Sequence, residues 1–384
     1  MLPPLLPFYL VAVTLGLSLA CTLTLFVPSC PPIVPALTTY GVSALYLRDR
    51  IKFIQVISVP KRWFWHFYLL GSFCVISWLL FCGAISYGMA SPSDALKDLF
   101  GLLTPAKPRY NWSTTVLGLF LILLHVMRRL WEAVSTLQLC ISVYSDTTMN
   151  IFHYIVGLIH YTILPLTIVC ESRGLVETKN GVFLFKKNKC CCFNNVVDYL
   201  NSFTCVLVFS LTRHDIKIQV FGNITAVSQV IDITKRELSR LKATHPSSNR
   251  PLCLGHHVFT TKTISPWQWF GIALFLICNR EQHHISREIA ALRRAPDGSG
   301  LIFNYCHGIC YGGWFEYVSC PHFLFEMGIY ISLWMVLSNA YVFQFLVIFV
   351  VVNQLFAGQI THRWYRRTFK AYPIDRKAVV PFIL

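Results

Sequence analysis

Charge is what this chain has least of. Only 13% of its 384 residues are Asp, Glu, Lys or Arg, where a soluble domain carries about 25%. Acidic residues are scarcer still, 17 against 33 basic ones. With 55% hydrophobic residues and a mean hydropathy of +0.54, this shortage excludes an ordinary water-soluble enzyme. No GxGxxG run is present, so a Rossmann dinucleotide site is excluded. No RNA-recognition, zinc-finger or basic-zipper pattern appears either, so the net charge of +16 is no nucleic-acid signal. Paired CxxC spacing is missing: Cys21, Cys74, Cys82, Cys140 and Cys278 sit singly in apolar runs and read as small buried hydrophobes. Cys190-Cys191-Cys192 has no zinc spacing, and Cys306, His307 and Cys310 lack a second ligand pair, so no metal is expected.

What is there, in quantity, is long apolar runs. Seven candidate spans stand at roughly 5–27, 64–89, 113–140, 147–170, 264–279, 318–336 and 338–357. The first begins with prolines and lacks a basic leader, so it reads as a helix and not a signal peptide. The fold class expected is therefore all-α, a multi-pass membrane bundle of about seven transmembrane helices.

The basic residues orient it. With the N-terminus in the lumen, Arg48–Arg62, Arg280–Arg294 with its extension to Tyr317, and the tail His362–Leu384 all face the cytosol, and all are rich in Arg and Lys. Loop 90–111 then faces the lumen with only Lys97, Lys107 and Arg109, and the sequons at Asn111 and Asn223 fall on the same side. The tail, HRWYRRTFKAYPIDRKAVVPFIL, brings cationic side chains to a membrane surface, where they can hold a phosphorylated ligand or lipid headgroups, or simply anchor the topology. Residues 171–263 break the helical pattern, with strand-like stretches at 203–211 and 216–233, and read as a loop insertion of unknown structure, a candidate for a species-specific addition. The organisation expected is 1–170 as N-terminal helices on the lipid-substrate side, 171–263 as the insertion, and 264–384 as the C-terminal cofactor region.

Ionisable residues inside apolar spans are expensive and point to function. The third span reads LFLILLHVMRRLWEAV, and His125, Arg129 and Glu132 fall on one face at i, i+4, i+7. The competing interpretation is a buried ion pair of Glu132 with Arg128 or Arg129. His153 and His160 of the fourth span read as packing histidines that line the same interior.

The tail motif His362-Arg363-Trp364-Tyr365, with Tyr372-Pro373, Arg376-Lys377-Ala378 and Pro381-Phe382, resembles the C-terminus of the steroid 5α-reductase family. So does Gly312-Gly313-Trp314-Phe315-Glu316-Tyr317-Val318-Ser319, followed by Glu326. Val59-Pro60-Lys61-Arg62-Trp63-Phe64 with His66-Phe67-Tyr68, the His125–Glu132 block, Ser319-Cys320-Pro321-His322 and Asn353-Gln354 are similar to its polyprenol/polyprenal reductase branch. The resemblance covers about 40–170 and 264–384. It implies a seven-helix bundle in the endoplasmic reticulum membrane, with a cytosolic C-terminus and NADPH held by the last three helices and their loops. Carried over by position, Gln282, Arg293, His322, Glu326, His362, Tyr365 and Arg376 would bind the cofactor; His125, Arg129 and Glu132, by their shared face in the third span, are the residues expected to serve catalysis. The chain departs from steroid-reducing members at Val126, where they carry tyrosine, and at His322, where they carry asparagine. Their second substrate-side carboxylate has no clear counterpart, which leaves the carbonyl-polarising donor open, with His125 the first candidate.

Chemistry narrows the implied substrate. Hydride addition to a carbon–carbon double bond needs an electron sink, and an enolate oxygen provides one. An isolated allylic alcohol has no sink, so polyprenal, an α,β-unsaturated aldehyde, is the expected lipid partner on the way to dolichol for protein N-glycosylation. The expected enzyme is an NADPH-dependent oxidoreductase acting on a CH–CH group, with membrane lipids around it and no obligate protein partner implied. Four alternatives stand beside it: a 3-oxo-Δ4-steroid 5α-reductase, a di-iron oxygenase, a non-catalytic transporter or scaffold, and a membrane methyltransferase. Against the second, His256-His257 and His283-His284 lack HxxxH and HxxHH boxes.

Overall fold

The computed structural model describes residues 4–39, 56, 58–86, 89–104, 108–137, 148–173, 175, 264–292, 308–338 and 340–383. All but Ser86 belong to one compact unit, 1–85, 89–184 and 259–384. The second unit, 86–88 and 185–258, lies outside the described residues apart from Ser86. So do most of the 171–263 segment, the Asn223 sequon and Arg293.

The described chain is helical, with one pair of three-residue strands. Its elements are α1 (Leu5–Phe26), a short α2 (Ile33–Thr38), β1 (Ser58–Pro60), α3 (Trp65–Ser86), α4 (Asp94–Leu103), α5 (Trp112–Trp131), β2 (Thr148–Asn150), α6 (Ile151–Val169), α7 (Pro266–Ala291), α8 (Pro321–Val336) and α9 (Tyr341–Thr368). β1 and β2 pair antiparallel with Val59 opposite Met149. Local chemistry starts several of the helices. Ser265 and Gln268 form a capping box, with Pro266 in the first turn of α7. The Asn150 side chain accepts the His153 N–H at the start of α6.

Five helices, α1, α3, α5, α6 and α9, are long and apolar enough to cross a membrane. The protein is a multi-pass membrane protein. α8, with 16 residues, spans about 24 Å at 1.5 Å per residue, short of a hydrocarbon core of about 30 Å. α7 is apolar only to Cys278, and its polar second half buries Gln282 and Ser286 against the interior. The sequence expectation ended this helix at 279. The structure carries it to Ala291, because its polar residues find partners inside the bundle instead of facing lipid. α9 likewise runs on past 357 to Thr368, with Arg366 and Arg367 in its last turn, where the helix dipole favours cations. His362 and Tyr365 therefore project from a helix, not from a free tail.

α5 departs from expectation in the other direction. It stops at Trp131 and passes into a π-turn, Glu132–Leu137. The change of pitch falls on a fully buried carboxylate, Glu132, whose N–H meets the carbonyls of both Arg128 and Arg129. Single π-turns of this kind collect at functional sites.

The seven long helices alternate in direction. At one end of the bundle the Arg109 N–H donates to the Glu171 carbonyl (2.8 Å), and Glu171 accepts the Val342 N–H (3.0 Å) at the start of α9. Arg109 pairs with Glu171 (3.1 Å) and lies over the Tyr341 ring. Burial pushes the Glu171 carboxyl up to about 7, against the pull of the Val342 N–H and Arg109. At the other end, Asn150 donates to the Ala36 and Leu37 carbonyls, and Arg363 donates to the Leu25 carbonyl. Here the tail folds back. Lys377 donates to the Tyr317 carbonyl (2.9 Å), and its own carbonyl accepts from Ser319 (2.8 Å). Val379, fully buried, seats over Gly358, where a Cβ would stand 2.0 Å from its methyl. Gly312 and Gly313, at φ +88° and +53°, make the turn this clasp closes on, a backbone that a side chain would strain.

Candidate active site

A cavity of about 620 Å³ opens between the helices. Its lining includes the apolar Val13, Leu17, Leu37, Phe64, Trp65 and Phe152 of the N-terminal half and the polar Ser319, His322, Asn353, Gln354, Thr361 and Tyr365 of the C-terminal half. Tyr68, Arg129, His160, Gln282, Glu326 and Tyr330 stand on its wall as well.

Behind that wall lies a closed network of charges. Glu132 accepts from Arg128 and from Arg129 (2.6 Å), and His283 Nδ1 lies 2.9 Å away. Arg128 also donates to Gln282 Oε1, to Asn279 Oδ1 (3.1 Å) and to His125 Nδ1 (3.3 Å). His125 Nδ1 stands between this guanidinium and Asn279 Oδ1, 3.3 Å from each, and His125 Nε2 faces Glu326 Oε1 at 3.4 Å. Gln282 Nε2 donates to the other Glu326 oxygen and to the His322 carbonyl (3.2 Å). A buried carboxylate costs several kcal/mol unless paired and hydrogen-bonded. Here both Glu132 and Glu326 are so held, and the network is a rigid platform.

The two arginines divide the labour. Arg128 turns to α7. Arg129 turns to α3, donating to the Tyr68 hydroxyl oxygen (2.9 Å) and lying over its ring. With that lone pair engaged by a cation, the Tyr68 O–H is a stronger donor toward the cavity.

The predicted residues separate into three places. Arg129, Gln282, His322, Glu326 and Tyr365 line the cavity. His125 and Glu132 are fully buried one layer behind it. His362 and Arg376 stand at the tail clasp. His362 Nδ1 meets Ser319 Oγ at 2.6 Å and the Tyr372 hydroxyl donates to the same oxygen, so His362 ties α9 to the tail. Burial pushes the Tyr372 phenol up, opposed by Ser319 and Arg376.

Arg376 provides the test of cofactor fit. Its guanidinium is 3% exposed and sits between the Tyr311 and Tyr372 rings, at 5.4 and 5.2 Å. Nη1 donates to the Cys310 carbonyl (3.1 Å), while Nε and Nη2 have no hydrogen-bond partner among the described residues. Gln354 Oε1 is likewise unsatisfied. A buried guanidinium with donors to spare is costly alone and suited to a phosphate, which accepts such forks.

Residues 254–384 match the family described as 3-oxo-5-alpha-steroid 4-dehydrogenase. A polyprenal reductase of Caenorhabditis elegans is 37% identical over 381 residues, 99% of this chain and 96% of the relative. The chain belongs to the steroid 5α-reductase family, in its polyprenal reductase branch. A polyprenal reductase of Danio rerio is 28% identical over 335 residues, 86% of this chain and 81% of the relative. One of Homo sapiens is 25% identical over 398 residues, 97% and 95% of the two chains.

Sequence reasoning missed Tyr68, Asn279, Tyr330 and His283 as members of the network. Tyr68 lies in a stretch that carried the family resemblance, yet no spacing rule links it to Arg129, 61 positions away. His283 was read only as half of a doublet lacking a di-iron box.

Proposed function

We propose that this protein reduces the α-isoprene double bond of polyprenal with NADPH, a step toward dolichol, at the endoplasmic reticulum membrane with its C-terminus in the cytosol. The observation that carries the proposal is the cavity: its lining joins apolar side chains of the N-terminal half to polar side chains of the C-terminal half and includes a tyrosine held by Arg129, in a chain whose near-full-length relatives are named polyprenal reductase. NADPH would supply hydride. Arg376 would hold one of its phosphates, with Tyr365, Gln354, Gln282, His322 and Glu326 along the cavity wall, His362 locking the tail, and Arg293, outside the described residues, as a further phosphate ligand. The isoprenoid chain would lie along Val13, Leu17, Phe64, Trp65 and Phe152, so the N-terminal helices serve the lipid and the C-terminal ones the cofactor.

The chain's own residues do the rest. Tyr68 donates to the aldehyde oxygen, where charge develops as the enolate forms. Arg129 holds Tyr68 and Glu132 holds Arg129. His125 acts one step removed, through Glu326, whose Oε1 lies 3.4 Å from its Nε2. The bundle excludes water around these groups, which strengthens each of them.

The test uses the full chain in lipid nanodiscs, with NADPH and either polyprenal, polyprenol or a 3-oxo-Δ4-steroid. Oxidation of NADPH with polyprenal, yielding the saturated aldehyde, is expected. Turnover of the steroid or of the alcohol in preference to the aldehyde would overturn the assignment.

A further inference from the structure

That reading leaves two cavity-wall residues without a task, Tyr330 of α8 and His160 of α6. The Tyr330 hydroxyl lies 3.0 Å from His160 Nε2. His160 Nδ1 is buried, with no hydrogen-bond partner among the described residues. His160 is wedged between Tyr161, Tyr330 and Phe349, at ring separations of 5.2, 5.9 and 5.8 Å. A histidine held only for packing would satisfy both nitrogens. This one bonds a tyrosine with one and leaves the other, though buried, without a hydrogen-bond partner among the described residues.

The reaction needs two donors, one for the carbonyl oxygen and one for the α-carbon. Tyr68 takes the first place. Glu326 is a poor second donor: one oxygen accepts from Gln282 and the other faces His125 Nε2 at 3.4 Å, surroundings that suit an accepting carboxylate. Arg129 is committed to Glu132 and Tyr68. Tyr161 lines the wall, but no imidazole bonds its hydroxyl among the described hydrogen bonds.

Resting on the proposed reduction of an α,β-unsaturated aldehyde, we infer that Tyr330 is the general acid that protonates the α-carbon and that His160 is the relay that restores its proton. The balance is simple. Once the β-carbon has gained hydride, the former double-bond electron pair lies on the enolate. That pair forms the new bond from the α-carbon to the Tyr330 proton, and the O–H electrons remain on the phenolate. His160 returns a proton from Nε2 to the phenolate, Nδ1 takes up a solvent proton as product leaves the cavity, and the imidazole, then the Nδ1–H tautomer, exchanges back to Nε2–H before the next turnover. Hydride plus one solvent proton thus become the two hydrogens of the saturated aldehyde. Tyr330 is a catalytic residue in this scheme and His160 a positioning and relay residue.

The experiment is turnover of polyprenal in D₂O by the full chain in nanodiscs, reading rate and the face of the α-carbon that receives deuterium. Wild type should label one face. Tyr330→Phe should lose about 10²-fold in kcat, keep its NADPH affinity within about twofold, and label both faces, since water replaces the positioned donor. His160→Gln can still occupy the Tyr330 oxygen with an amide N–H but cannot pass a proton. It should slow turnover about tenfold, keep one-face labelling and show a larger solvent isotope effect. Tyr330→Phe that is slow yet labels one face, or that is as fast as wild type, would overturn the assignment. So would His160→Gln with wild-type rate and isotope effect, a result that stands even if Tyr330→Phe does not fold. Wild type inert toward polyprenal would overturn the reductase reading and this one with it. One-face labelling by Tyr330→Phe in an active enzyme overturns this one alone.

Discussion

Individual side chains define the site through what they leave unpaired as much as through what they bond. Arg376, buried between Tyr311 and Tyr372, has two guanidinium nitrogens without a hydrogen-bond partner among the described residues. Arg376→Ala is expected to raise the NADPH KM about 10- to 100-fold, as loss of a charge-assisted contact of about 1.5–3 kcal/mol requires, with the polyprenal KM little changed. Steady-state kinetics in both substrates checks this. Tyr68→Phe should lower kcat about 10²-fold at normal expression, the effect of removing one oxyanion donor. His125→Ala should cost less, since His125 acts through Glu326 and does not line the cavity. The double change Arg129→Met with Glu132→Leu separates a structural ion pair from a working one. Apolar replacement of a merely structural pair is tolerated, whereas here activity should fall with that of Tyr68→Phe, because Arg129 holds the tyrosine.

Helices and their ends set where these side chains meet. The close seat of Val379 on Gly358 joins the tail to α9. Gly358→Ala should push the tail off and weaken NADPH binding severalfold while helix content is unchanged, as titration calorimetry and circular dichroism would show. At the opposite end, Glu171 caps α9 and pairs with Arg109. Its carboxyl titrates near 7 in the fold against an ordinary value of 4.5, so the native state holds an extra proton between those values. Stability from this group is complete below about 4.5 and is lost as pH rises through about 7. Thermal unfolding in detergent should therefore show a wild-type decline across that window that Glu171→Gln flattens. A decline of equal size in the variant would place its origin elsewhere.

On the scale of the whole molecule, every group assigned to chemistry lies outside 176–262. Replacing that segment by a Gly/Ser linker should leave NADPH-dependent polyprenal reduction largely intact, measured against the full chain in nanodiscs. The membrane class, the seven long helices and the alternation of their ends were all legible one-dimensionally, because lipid punishes any exposed polar backbone and demands runs of about 20 apolar residues. So was the gathering of His125, Arg129 and Glu132 in a polar interior, since they are too polar for their span to face lipid. The helix ends at 291, 368 and 131 were not legible, since hydropathy marks where lipid stops and not where buried polar partners let a helix continue or a π-turn begin. Nor was the division of the arginines. Arg128 and Arg129 are neighbours in sequence but about 100° apart on a helix, and only packing against α7 on one side and α3 on the other decided which would brace the network and which would hold Tyr68. Sequence determined that a polar centre had to exist inside this bundle; tertiary structure decided which hydroxyls it presents to the cavity, because those partners come from helices far apart in the chain.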